Sequence, residues 1–385
     1  MGRRHGLVVI VAAAVVLATV SAASARPAAK ATATASCSAG VTIGMLAPIT
    51  GPAGSIGSDQ LHWAQFFFTQ WNKTHKPKIT LAQFDDQLDP AKAATGAQSF
   101  ASNSSVMGVI GPAGSDQVIA VAPILKKAGL AFASGSATRV SLTSGAWKGY
   151  FFRDVPNDGV QGPTDAAYMQ EKLGVSSGSK VMVVDDQEAY STGLADIVGN
   201  TLKAHGVTVD RESVSQKDTD FSSLIAKIDS STKVVFLPFQ VASEAQLFAQ
   251  QMQAQGKSAV PFGSDGTFDS SKFNQNGAYI SFFAPDVTTI PADSAIVKAF
   301  HKQFPGATSP FGAPNYVLGQ MYASAVTTAC KDGTISRAEL RKDVLKASLP
   351  STILGGSLKL TANGDVSGAK FHIFKVVNGK YQTVA

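Results

Sequence analysis

Two short segments set hydroxyl side chains beside glycines: Gly111-Pro112-Ala113-Gly114-Ser115 and Ser134-Gly135-Ser136-Ala137-Thr138. Backbone N–H groups at a helix start lack intrahelical partners and carry partial positive charge, so such a segment leading into a helix can hold an anion. Neighbouring hydroxyls add donors that rotate to fit. The same residues also build ordinary turns, and residue chemistry alone leaves both readings open. Ser264-Asp265-Gly266 offers the opposite sign, a carboxylate able to pair with an ammonium group. Tyr190 offers a ring and a hydroxyl. Asp85-Asp86 and Asp185-Asp186 are adjacent carboxylates suited to a metal or to acid–base work. Capping helices and solvating loops is the favoured reading of both pairs.

Enzyme signatures are missing. The glycines of Gly51-Pro52-Ala53-Gly54-Ser55-Ile56-Gly57 lack the lysine and hydroxyl pair of a phosphate loop. No Gly-x-Ser-x-Gly elbow occurs. The six histidines are scattered, none paired at metal-ligand spacing. No catalytic residue, cofactor or metal is therefore expected. The formal charge of +6 comes from dispersed lysines and arginines, which implies no nucleic-acid partner.

These segments need a scaffold. With 385 residues, 44 % hydrophobic and 16 % charged, the chain suits two globular lobes. Strand and helix patterns alternate from Val41. Strands are expected at Val41–Ala47, Ile79–Phe84, Val106–Ile110 and Leu130–Ala133, with Asp89-Pro90 opening a helix. The rhythm restarts with strands at Lys180–Val184, Val207–Val214, Lys233–Leu237 and Val260–Phe262. Short apolar strands between amphipathic helices mean parallel sheets covered on both faces, so α/β architecture with two doubly wound lobes. In such sheets ligands bind beyond the carboxyl ends of the strands, where the Gly/Ser segments fall. The tail breaks the rhythm. Three helices are expected between residues 292 and 347, then strands Ser357–Leu360 and Lys370–Val377 joined through an Asn363-Gly364 turn.

Residues 1–25 have the three parts of a secretory signal peptide: basic Met1–His5, apolar Leu7–Val20 and small-x-small Ala23-Ser24-Ala25. Arg3-Arg4 invites a twin-arginine reading, but His5-Gly6 fits that motif poorly and favours the general secretory route. Residues 26–40 read as a flexible leader, low in complexity to Ser38. Cys37 and Cys330 are the two cysteines. In an oxidising compartment they suit one disulfide, with a lipidated Cys37 or two free thiols as alternatives.

Several phrases, in order, resemble one family. They are Val41-Thr42-Ile43-Gly44 with Thr50-Gly51-Pro52 and Gly57, Asp85-Asp86-Gln87-Leu88-Asp89-Pro90, Val109-Ile110-Gly111-Pro112, Gln161-Gly162-Pro163 and Phe262-Gly263-Ser264-Asp265-Gly266. From about Val41 to Val377 the chain is similar to the branched-chain amino-acid-binding proteins of ABC transporters. The resemblance implies a type I periplasmic-binding-protein fold with three inter-lobe crossings. Lobe one would hold residues 41–158 and 285–353, and lobe two residues 159–284 and 354–385. It implies a non-enzymatic, exported receptor, expected to be monomeric. The receptor would close on an amino acid or related carboxylate and deliver it to ABC permease subunits. Carried over, Ser115 gives its hydroxyl to the ligand carboxylate, Ser136 mainly backbone groups, and Thr138 its hydroxyl and N–H. Asp158 is the acid at the first crossing, Tyr190 the aromatic contact and Asp265 the partner of the ammonium. Aspartate replaces the family's commoner glutamate there, and Ile56 replaces an aromatic in the first loop. Phe239-Gln240-Val241 supplies a further contact of unfixed register. A sensor of the same fold and a secreted hydrolase are the rival classes.

Overall fold

The computed structural model describes residues 1–2, 33–307 and 309–385. The expected signal peptide lies outside the described residues, save Met1 and Gly2.

Two sheets organise the described chain. The five-stranded sheet runs, edge to edge, Ile79–Asp85, Val41–Ala47, Val106–Ile110, Ala131–Ser134 and Phe151–Arg153, all parallel. Its central strand, Val106–Ile110, is buried throughout, as an apolar run between helical layers must be. The seven-stranded sheet runs Lys380–Thr383, His372–Val377, Tyr279–Phe282, Val260–Gly263, Thr232–Leu237, Lys180–Asp185 and Thr208–Ser213. Its first two strands are antiparallel additions to a parallel set. This is the expected type I architecture.

The chain crosses between the lobes three times. It passes from Phe151–Arg153 in the first sheet to Lys180–Asp185 in the second. It returns after Tyr279–Phe282, because helices Ser294–Gln303, Gly312–Ala329 and Arg337–Leu345 bury Phe300, Leu318 and Leu340 in the core that holds Ile43 and Met45. Leu358 and Leu360 still pack in that core, whereas Phe371 joins the other. The last crossing therefore lies between Leu360 and Phe371, beyond residue 354, where the sequence placed it.

Three expectations need correction. The leader is ordered from Thr34: Thr34–Ser36 pairs antiparallel with Thr334–Ser336, and a disulfide joins Cys37 to Cys330 across 293 residues. A strand pairing plus a covalent tie holds a terminus that composition alone marks as free. The tail hairpin also differs. His372–Val377 pairs with Lys380–Thr383 around Asn378-Gly379, whose φ angles of 51° and 73° suit the tight hairpin turn that Asn-Gly favours. Leu358–Lys359 pairs instead with Ser348–Leu349, and Asn363-Gly364 lies inside a bridge from Leu360 to Val366. Strands Phe151–Arg153, Tyr279–Phe282 and Lys380–Thr383 were not anticipated; runs this short carry no periodic signal.

Closing so long a loop lowers the entropy of the unfolded chain. Replacing both cysteines by serine should lower unfolding free energy by about 2–5 kcal/mol, read by denaturant titration, without changing the far-ultraviolet spectrum.

Candidate functional site

The strand ends of the first sheet build one wall of a cavity. Gly111 takes φ +98° and sits against the Leu46 carbonyl, where any side chain would collide. This turn delivers Ser115 to the start of helix Ser115–Lys127, which no side chain caps. Its first N–H groups are thus donors for an incoming anion. Ser134 holds the next loop. Its hydroxyl donates to Pro112 O (2.6 Å) and accepts from the N–H groups of Ser136 (3.2 Å) and Ala137 (2.9 Å).

Arg153, a residue to which the sequence gave no role, holds that loop from behind. Its guanidinium is wholly buried, pairs with Asp365 Oδ1 at 2.6 Å and donates to the carbonyls of Ala137 (3.0 Å) and Arg139 (2.8 Å). Thr138 lies between them. Arg153 stands at the first crossing and Asp365 at the last, so one ion pair ties two crossings to the binding loop.

The aspartate pairs act as loop organisers. Asp85 accepts from Thr50 and from the Gln87 N–H, while Asp86 accepts from Leu88 N–H. In the second lobe, Asp185 accepts from Gln187 N–H, and Asp186 from Glu188 N–H, Gln216 and Gln240 N–H. Gln87, Leu88 and Gln187 all have positive φ, a conformation these bonds stabilise. Both pairs feed the cavity: the first presents Leu88, the second Gln240. Among the described residues no group of three metal-ligating side chains occurs.

The cavity, with about 400 Å³ of empty space including its mouth, lies between the lobes. Ser115 and Ser136 line it from the first lobe, and Tyr190, Gln240 and Asp265 from the second. Pro48, Ala53, Ile56, Leu88 and Phe311 form its apolar side. Gly266 packs so close to the Tyr190 ring and the Phe239 carbonyl that a larger residue would not fit. Ser136 is already engaged: its hydroxyl donates to Ala113 O (2.8 Å) and accepts from Gln60 Nε2 (2.8 Å). Thr138 and Asp158 are not in the wall. They are buried beside it, because the Asp158 N–H bonds to Thr138 O at 2.9 Å and folds the helix start under the loop. Gln240 and Phe311 complete the site. The register of the first was unreadable, and nothing local marked the second.

The electrostatics favour a cation. Tyr190 Oη lies 2.6 Å from both Asp265 Oδ1 and Ser264 Oγ and accepts from Gly266 N–H. Burial pushes the Asp265 carboxyl up to about 6, against the bond from Tyr190. Burial, then the Asp265 charge, pushes Asp158 up to about 7. Thr138 Oγ1 is near enough to favour the Asp158 anion but outside hydrogen-bonding geometry. Asp165 joins them, raised well above the usual range by burial although Ser281 donates to it at 3.0 Å. Three acids share one buried patch, and both oxygens of Asp158 lack a hydrogen-bond partner. Positive charge beside them relieves the strain.

Contacts between the lobes flank the cavity. Both Asp116 carboxylate oxygens accept from the Ala189 N–H, at 2.9 and 3.0 Å. Arg139 donates to the Ala189 carbonyl and to Thr192 Oγ1. Ser55 Oγ donates to Asp269 at 2.8 Å.

The family model described as periplasmic binding protein matches residues 40–380. The chain belongs to this family. It is a solute-binding protein and not an enzyme. Among curated relatives, a Leu/Ile/Val-binding protein homolog of Brucella melitensis is 26% identical over 351 residues, covering 89% of this chain and 93% of its own. An amino acid binding protein of Pseudomonas aeruginosa is 26% identical over 356 residues, covering 89% and 92%. Among solved structures, a leucine binding protein from Thermotoga maritima superposes with a TM-score of 0.81 at 20% identity, covering 90% of this chain and 98% of its own. A solute binding protein of R. palustris in complex with benzoate gives 0.76 at 19%, covering 90% and 96%. No helix among the described residues is long and apolar enough to cross a membrane.

Two stability predictions follow from the buried charges. Asp265 binds its proton more tightly folded than unfolded, so its penalty is absent below about pH 4, grows towards pH 6 and is complete above it. Asp265→Asn should therefore stabilise the ligand-free protein by on the order of 2–3 kcal/mol at pH 8 and hardly at pH 4. Melting curves at both pH values check the difference. Arg153→Ala strands the Asp365 carboxylate and frees two buried carbonyls; a loss of about 3–5 kcal/mol is expected in urea unfolding.

Proposed function

We propose that this chain is the extracytoplasmic receptor of an ABC importer and that it binds an α-amino acid with an apolar side chain between its lobes. The carrying observation is the polarity of the cavity. An uncapped helix start with Ser115 stands on one lobe, Asp265 and Tyr190 on the other, and an aliphatic and aromatic wall lies between. A carboxylate suits the first, an ammonium the second and a hydrocarbon side chain the third.

In this reading Ser115 donates its hydroxyl to the ligand carboxylate, and the Ser136–Thr138 loop contributes backbone groups. Tyr190 orients Asp265, which takes the ammonium, with the Asp158 charge behind it. Ile56, Leu88 and Phe311 set side-chain size. The lobes divide near residues 158 and 285 and again at the tail. Closure brings the two half-sites onto one ligand, so binding favours the closed state. The protein works as a monomer on the outer side of the membrane and hands its ligand to permease subunits. The Leu/Ile/Val-binding name of the Brucella relative supports an aliphatic amino acid, and the benzoate in the R. palustris protein marks carboxylates without an amino group as the competing ligand class.

Calorimetric titration of the mature chain with leucine, isoleucine, valine, 4-methylpentanoate and benzoate tests the reading. Binding of an aliphatic amino acid, weakened by about 2–5 kcal/mol in Asp265→Ala, is the expected result. Binding of 4-methylpentanoate or benzoate alone, or amino-acid affinity indifferent to Asp265→Ala, would remove the ammonium role of Asp265.

A further inference from the structure

A second, larger cavity lies beyond the Ser55–Asp269 contact, with about 1350 Å³ of empty space including its mouth. Helix Gly54–Thr74 divides the two. Its Ile56 faces the first cavity, while Ser58, Asp59 and His62 face the second. The other lobe closes it with Phe268, Asp269 and Tyr381, so this cavity too is completed only when the lobes meet.

Asp59 sets its chemistry. The residue is 3% exposed and lines the cavity, yet neither carboxylate oxygen has a hydrogen-bond partner. The Gly312 amide lies close enough to favour the Asp59 anion but outside hydrogen-bonding geometry. His62, one turn on, leaves Nδ1 unpartnered as its ring stacks on Phe304 at 4.3 Å. The remaining wall acids are engaged: Asp269 accepts from Ser55 and Ser271, and Asp286 from Thr288. Among the described residues, no lysine or arginine lines the cavity. Trp63, stacked on Phe300 at 3.8 Å, adds an aromatic surface beside Asp59.

A buried carboxylate without a partner is costly in any fold, and a site normally supplies its counter-charge. The described residues hold no group of three metal ligands, and the acidic wall repels anions. We propose that the second cavity binds a small organic cation, a protonated primary amine with an apolar body, with Asp59 as its counter-ion. Burial holds the Asp59 carboxyl well above its usual range, so the empty cavity carries a neutral acid; as an ammonium enters, Asp59 releases its proton to solvent and the resulting carboxylate pairs with the cation. Because both lobes line the cavity, the amine acts on the same closure as the first ligand.

The test uses 3-methylbutylamine and 1,5-diaminopentane, which lack the carboxylate that the first cavity attracts. Calorimetric titration of the full mature chain should show binding of at least one amine at millimolar concentration. Asp59→Asn should weaken it at least about tenfold, as expected for a buried charge losing its partner. Ser58→Leu, which fills the cavity from the helix, should abolish the same heat and keeps the test valid if Asp59→Asn folds poorly. Absence of binding by both amines overturns the proposal. So does binding that survives Asp59→Asn and Ser58→Leu but disappears in Asp265→Asn, since the amine would then occupy the first cavity.

Discussion

The structure turns on the burial of the Arg153 guanidinium. A fully desolvated cation is tolerated only when its donors are satisfied and its charge is matched. Asp365 matches the charge, and the carbonyls of Ala137, Arg139 and Val140 with the Thr143 hydroxyl take the remaining donors. Those partners come from the binding loop and the last crossing, while Arg153 itself begins the first. Asn157 also reaches Asp365, at 3.4 Å, just before the second-lobe helix begins. The loop, the two crossings and the start of Asp158–Lys172 are thereby tied together. Arg139, positioned by these contacts, makes one of the contacts with the opposite lobe.

A frame of this kind lets the cavity hold unfavourable charge. Asp158, Asp165 and Asp265 are buried together, and their carboxyls bind protons at pH values where free carboxylates have lost them. Such an arrangement is a liability in the empty protein and an asset once a cation arrives, because the relief is realised only on binding. Rigid loops keep the acids from rotating away to solvent. The Asp-Asp-Gln turns serve the same end in both lobes: the first holds Leu88 at positive φ at the cavity wall, and Asp186 of the second accepts from the N–H of Gln240, which lines the cavity from the other side.

The relation of sequence to site differs among residues. Ser115 and Asp265 were legible because each follows a strand in a phrase whose composition restricts its conformation: Gly111 at a positive φ, and Gly266 against the Tyr190 ring. Thr138 and Asp158 lie beside the cavity and behind its wall. Whether a loop residue lines a cavity or lies behind its wall depends on the neighbouring strand and crossing, not on its own type. Phe311 and Arg153 give no signal, and Gln240 only within a segment whose register is open. An aromatic, an amide and an arginine are common in any globular chain, and only contacts with residues up to hundreds of positions away give these three their meaning.

What depends on local chemistry and short-range periodicity is legible in the chain alone. Parallel strands between helices, the Asp89 cap of Pro90–Ser102 and the ligand-end position of the Gly/Ser segments all follow from patterns a few residues long. Ordered phrases along the chain were enough to point to the family. The rest depends on long-range packing. It set the ordering of the leader through Cys37 and Cys330, the pairing of the tail strands, the depth of the buried acids and the separation of one interlobe space into two cavities. Each of these is fixed by which distant segments meet, since burial and charge are properties of the assembled surroundings and not of any residue alone.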